Sequence, residues 1–135
     1  MNKIVLIAIV AILGLGGLFV MTQNSNKTDA SATSKLALSM RAVKDDVSKG
    51  GQLIDVRTTK EYTSGHIDGA INLSLQDIQA GTMPTVTKDK PIYVYCHSGN
   101  RSSQATSILK AAGYQNIVDL GAITHVQSIG GEIKT

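Results

Sequence analysis

The stretch Pro91 to Arg101, PIYVYCHSGNR, constrains the fold of this chain more than any other. Its β-branched and aromatic run, Ile92 to Tyr95, reads as a buried strand. The run stops at Cys96, the only cysteine in 135 residues, and a polar, glycine-containing loop follows. From Arg101 onward apolar residues recur at Ala105, Ile108, Leu109 and Ala112, a helical period that ends at Gly113. The cysteine therefore stands between a strand end and a helix start.

That placement has chemical content. The first turn of a helix carries unpaired N–H groups and the positive end of the macrodipole, so a sulfur aimed there is favoured as thiolate. Arg101 adds a full positive charge. Such surroundings lower a thiol pKa from about 8.5 into the range of roughly 3.5 to 7.5. The same N–H groups can cradle a bound oxyanion or the charge that builds on a leaving group. The competing reading is a buried, inert cysteine. His97, Ser98, Asn100 and Arg101 make a poor lining for one.

Residues Ile4 to Met21 form an uninterrupted run of 18 apolar or glycine residues behind Lys3. At ~1.5 Å per residue a helix of that length spans about 27 Å, enough for the hydrocarbon core of a bilayer. Residues 1–21 are expected to be a retained hydrophobic anchor helix, with a cleaved signal segment as the alternative, since Ala30-Ser31-Ala32 resembles a cleavage site. In either case the rest of the chain is expected to be extracytoplasmic, on the periplasmic or cell-surface side, tethered through residues 4–21. Residues 22–34, TQNSNKTDASATS, are polar and of low complexity and read as a flexible linker. A lone cysteine in an oxidising compartment has no internal disulfide partner and reads as a reactive thiol.

Residues 35–135 are then a single domain. Ser39 is placed as the N-cap of a helix with an apolar stripe of Met40, Val43 and Val47, ended by Gly50-Gly51. Leu53 to Val56 is a short strand carrying Asp55, a carboxylate that needs donors if buried. Asp55 is thus either a cap or salt-bridge acceptor or part of a site. Arg57 follows, and Thr58 and Thr59 can cap a turn through Lys60, Glu61 and Tyr62. Gly65-His66-Ile67 leads into a strand at Ala70 to Leu73, and a single histidine there more commonly ties backbone together than does chemistry. Ser74 caps a helix over Leu75 to Ala80, and the last strand is Ile117 to Leu120. Short apolar strands alternating with helices argue for a parallel sheet covered on both faces. Ligands of such sheets bind beyond the carboxyl ends of the strands, where Cys96 stands. The 13 Lys plus Arg against 10 Asp plus Glu are scattered without a basic run, so nucleic acid is not an expected partner.

Two segments resemble the rhodanese family of single-domain sulfurtransferases. LIDVRTTKEYTSGHIDGAINLSL, residues 53–75, is similar to the family's D-V-R strand end followed by E-Y-x-x-G-H-I-x-G-A-x-N. YCHSGNRSSQATSILKAAGYQNI, residues 95–117, is similar to its cysteine loop, helix and G-Y-x-N. The hydrophobic amino terminus resembles exported members. The resemblance implies an α/β three-layer domain with a central parallel sheet, preceded by the N-terminal hydrophobic helix. It implies Cys96 as the nucleophile that accepts a sulfane sulfur, and His97, Ser98, Gly99, Asn100 and Arg101 as the loop around that sulfur. Arg101 would hold the sulfonate end of thiosulfate, while Asp55, Arg57, Glu61 and His66 would support the site. Neither a metal nor an organic cofactor is implied. The chain departs from the family after the last strand, where Leu120-Gly121-Ala122-Ile123-Thr124-His125 stands in place of G-G and a tryptophan, and residues 121–135 are expected to pack differently.

The resemblance makes the expected reaction a transfer of sulfane sulfur from thiosulfate or a related donor, through a Cys96 persulfide, to cyanide or a thiol. A non-catalytic binding module or a persulfide carrier for a partner protein is the alternative. A cysteine phosphatase or arsenate reductase is a further one, although those enzymes resemble Cys, five residues, Arg, and here four residues separate Cys96 from Arg101.

Overall fold

The computed structural model describes residues 38–135, so the expected anchor (1–21) and linker (22–34) lie outside the described residues. Among the described residues no helix is long and apolar enough to cross a membrane. The described residues begin with helix α1 (Met40–Ser48), capped by the Ser39 hydroxyl, which accepts from the Ala42 N–H. Strand β1 (Gln52–Asp55) and helix α2 (Thr59–Thr63) follow. A reciprocal capping box starts α2: the Thr58 hydroxyl accepts from the Glu61 N–H, and the Glu61 carboxylate accepts from the Thr58 N–H. Next come β2 (His66–Ile67), β3 (Ile71–Asn72) and α3 (Leu75–Gln79), the last capped by Ser74 as its sequence predicts. Strand β4 (Ile92–Cys96), helix α4 (Asn100–Ala111) and strand β5 (Ile117–Ala122) complete the central layers.

Four parallel strands form one sheet in the order β3-β1-β4-β5. All five residues of β4 are buried, as befits a central strand covered on both faces. The two-residue alternation of side chains divides the core. Leu53, Tyr93 and Tyr95 point to one face and pack with Met40 and Val43 of α1. Ile54, Ile92, Val94 and Cys96 point to the other and pack with Leu75 and Ile78 of α3 and Ala105 and Leu109 of α4. The nucleophile candidate thus belongs to the face that α4 covers.

The C-terminal segment holds what the sequence reading did not foresee. Helix α5 (Ile123–Ser128) buries Ile123 and Val126 in the α1-side core, and strand β6 (Ile133–Lys134) pairs antiparallel with β2 in a second, two-stranded sheet. His66-Ile67 is therefore a strand of its own and not a lead-in to β3. Two-residue strands carry no periodicity, which is why neither announces itself in the sequence.

Candidate active site

Strand β4 carries Cys96 to its carboxyl end, one residue further than the apolar run alone predicts. The loop His97 to Gly99 then turns back over it. Gly99, the N-cap of α4, has φ +100°, a left-handed conformation that side-chain-bearing residues rarely adopt. That turn aims the Gly99 N–H at the sulfur, with N to Sγ 2.9 Å. The Ser102 hydroxyl lies 3.6 Å from the same sulfur: beside the thiol it accepts and donates its own proton to the Gly99 carbonyl at 3.0 Å, and beside the thiolate that proton can turn to the sulfur. Burial of Cys96 pushes its pKa up, but the Ser102 N–H and hydroxyl and the Gly99 and Ser98 N–H groups outweigh it. The net shift is downward, toward thiolate.

Ser102 is the contributor that the sequence reading missed. The available signal was a hydroxyl in the first turn of the helix that follows Cys96. In a Ser102→Ala protein, alkylation of Cys96 by iodoacetamide at pH 7 should slow by roughly three- to tenfold, the worth of about one hydrogen bond. Its pH midpoint should move upward. An unchanged pH profile would show that the hydroxyl does not stabilise the thiolate.

Asp55 and Arg57 resolve into a buried ion pair beneath the loop. The Asp55 side chain is 0% exposed and that of Arg57 is 7% exposed. The Arg57 guanidinium donates to both carboxylate oxygens, at 2.6 to 3.0 Å, and to the Gly65 carbonyl at 2.7 Å. The Arg57 N–H and the Tyr95 hydroxyl donate to the same carboxylate at 2.9 and 2.8 Å. Tyr95 also accepts from the Ile67 N–H, so this knot joins β1, β4 and β2. Burial first, with the neighbouring Asp55 carboxylate adding to it, drives the Tyr95 phenol pKa far up, so it stays a donor.

Arg101 makes a two-pronged contact with Glu61: Nη1 to Oε2 is 2.7 Å and Nη2 to Oε1 is 2.8 Å. This pair clasps the start of α4 to α2. Hydrogen bonding from Arg101, helped by Thr58, holds the Glu61 carboxyl well below the usual carboxylate range, against a smaller opposing effect of burial. The guanidinium that was expected to face a sulfonate is thus already occupied by a carboxylate. His66 stacks on Tyr62 at 3.8 Å between ring centroids, and its Nδ1 lies 3.0 Å from the Tyr62 carbonyl. It ties backbone together.

The bulge opposite Tyr95 in β5 sets Gly121 and Ala122 beside Tyr95 and Cys96. The divergent C-terminal segment thereby forms a wall of the cysteine loop, with Gly121 backbone 3.7 Å from where a Gly99 side chain would begin. A cleft of about 360 Å³, lined by Arg57, Lys60, Glu61, Ser64, Gly65 and His97, adjoins the loop at His97. The site therefore offers a buried sulfur favoured as thiolate, amides directed at it and an open cleft beside its loop.

Comparison with known proteins agrees with this geometry. Residues 39–123, more than half of the chain, match the rhodanese-like domain. The chain is 37% identical over 79 residues to thiosulfate sulfurtransferase PspE of Escherichia coli K12, covering 58% of this chain and 67% of that one. It is 32% identical over 72 residues to thiosulfate sulfurtransferase GlpE of Shewanella oneidensis, covering 53% of this chain and 70% of the relative. The crystal structure of a rhodanese-like domain of the Alr3790 protein from Anabaena superposes with a TM-score of 0.57 at 30% identity, covering 64% of this chain and 100% of that domain. With the cysteine loop, the parallel sheet and these matches in hand, the chain belongs to the rhodanese family.

Proposed function

We propose that this protein is a sulfurtransferase that takes a sulfane sulfur from thiosulfate onto Cys96 and passes it to cyanide or a thiol. The observation that carries the reading is the Gly99 N–H held 2.9 Å from the Cys96 sulfur in a loop of four residues closed by the Arg101–Glu61 pair. The names of the relatives PspE and GlpE support the choice of thiosulfate as donor. In the first step the Cys96 thiolate attacks the outer sulfur of thiosulfate. The thiosulfate S–S bond breaks, its electron pair leaves with sulfite, and Cys96 becomes a persulfide anion. In the second step cyanide attacks the outer persulfide sulfur, giving thiocyanate and restoring the thiolate.

Loop amides and the Ser102 hydroxyl that favour the thiolate can serve the persulfide anion in the same way, so little reorganisation is needed between steps. Arg101 contributes by keeping the loop closed on Glu61. The short loop suits a single sulfur better than a phosphoryl group. The apolar run 4–21 supports a tethered, extracytoplasmic placement of the domain. The test is intact-mass analysis of the full-length chain after thiosulfate: Cys96 should gain one sulfur atom with stoichiometric release of sulfite, and cyanide should remove it as thiocyanate. An unmodified Cys96 after thiosulfate would refute the reading.

A further inference from the structure

We propose that Lys60 selects the sulfur donor, holding the anionic end of a thiosulfate-like molecule at the cleft beside the Cys96 loop. The inference rests on the sulfurtransferase reading and adds the residue that decides donor charge. Both arginines near the loop are already ion-paired: Arg57 with Asp55, while its Nη2 also donates to the Gly65 carbonyl, and Arg101 with Glu61. Each pair is formally neutral and offers little net attraction to a dianion. Lys60 lines the same cleft, is exposed, and has no ion-pair partner among the described residues. His97 shares the lining and contributes a ring that can hydrogen-bond an oxyanion.

An ammonium on a flexible stem is a point charge that tolerates any orientation of a sulfonate, unlike a guanidinium fork. A cleft whose walls are otherwise neutral concentrates the effect of that one charge. Cys96 is fully buried and is not among the residues that line the cleft, so in this proposal Lys60 meets the distal end of the donor and not the reacting sulfur. It should therefore bind the ground state and the transition state about equally, which changes KM and leaves kcat alone.

The test uses the full-length chain with Lys60→Glu, Lys60→Arg and, as a control for overall charge, Lys110→Glu. Lys110 lies in the last turn of α4, about 15 Å along the helix from the cysteine loop. Thiocyanate formation is measured with thiosulfate, a dianion, and methanethiosulfonate, a monoanion. Lys60→Glu should raise KM for thiosulfate about tenfold and for methanethiosulfonate about threefold, with kcat within about twofold, while Lys60→Arg stays near wild type. Sulfate, a dianion that has no sulfane sulfur to give and does not react with iodoacetamide, supplies a readout without turnover. Its half-protecting concentration against iodoacetamide alkylation of Cys96 should rise about tenfold in Lys60→Glu. Unchanged KM and protection in Lys60→Glu, or equal shifts in Lys110→Glu, would overturn the assignment. Wild-type protein that transfers sulfur from neither donor, yet shows Lys60-dependent protection by sulfate, would remove the sulfurtransferase reading and keep Lys60 as the anion contact.

Discussion

Full-length protein carrying Cys96→Ser should release sulfite from thiosulfate at least about a thousandfold more slowly than wild type, because the nucleophile is the one group the reaction has no substitute for. A serine hydroxyl is not appreciably ionised at neutral pH, and its oxygen would have to form a bond to sulfur that hydrolyses in place of a persulfide. The hydroxyl fits the same space and can accept the Gly99 N–H that now points to the sulfur. Folding should consequently be preserved, and a melting curve close to wild type is part of the expected result. No other cysteine exists in the chain to take over. Sulfite release within tenfold of wild type would mean that the chemistry lies elsewhere.

The second large effect concerns stability. Asp55→Ala should destabilise the domain by roughly 3 to 5 kcal/mol, since it leaves the buried Arg57 guanidinium with only the Gly65 carbonyl and strips the Tyr95 hydroxyl of its acceptor. A domain of this size has about 5 to 15 kcal/mol in total. Its Tm should fall by at least about 12 °C. The paired replacement Asp55→Leu with Arg57→Met removes both charges together and should recover much of that loss, because a buried pair is worth far less than the penalty for breaking it. A Tm fall of under about 4 °C in Asp55→Ala would show that the carboxylate is not what holds β1, β4 and β2 together. The same measurement distinguishes a structural Asp55 from a chemical one: the double variant should fold and still form a Cys96 persulfide if the pair acts only as support.

The succession of α1, β1, α2, β3, α3, β4, α4 and β5, the caps at Ser39, Thr58 and Ser74, and the position of Cys96 between β4 and α4 were all legible because each depends on neighbours within about one helical turn. Apolar periodicity records which side of an element is buried, and hydroxyls before a helix record where its first N–H groups find acceptors. The family of the chain was legible for the same reason, through two contiguous segments. Asp55 was recognisable as a residue in need of donors, yet not which donors. Arg57 stands two positions away, whereas Tyr95 stands 40 away and meets it only because β1 and β4 are adjacent in the sheet.

The roles of Arg101 and Glu61 depend still more on tertiary structure. In the sequence Arg101 is a cation at the end of a cysteine loop and Glu61 is half of a capping box. In the fold each is the other's partner across 40 residues, and the pair clasps α4 to α2. The C-terminal segment shows the same limit, since α5 and β6 are too short to carry a pattern: α5 packs Ile123 and Val126 into the core that holds Ile67, and β6 forms by pairing with β2. The sequence by itself determined where the thiol sits and that helix N–H groups would face it, because those follow from bonded neighbours. Only the tertiary structure decided which charges near that thiol are paired with one another, because electrostatic partnership is set by distance in space and not by distance along the chain.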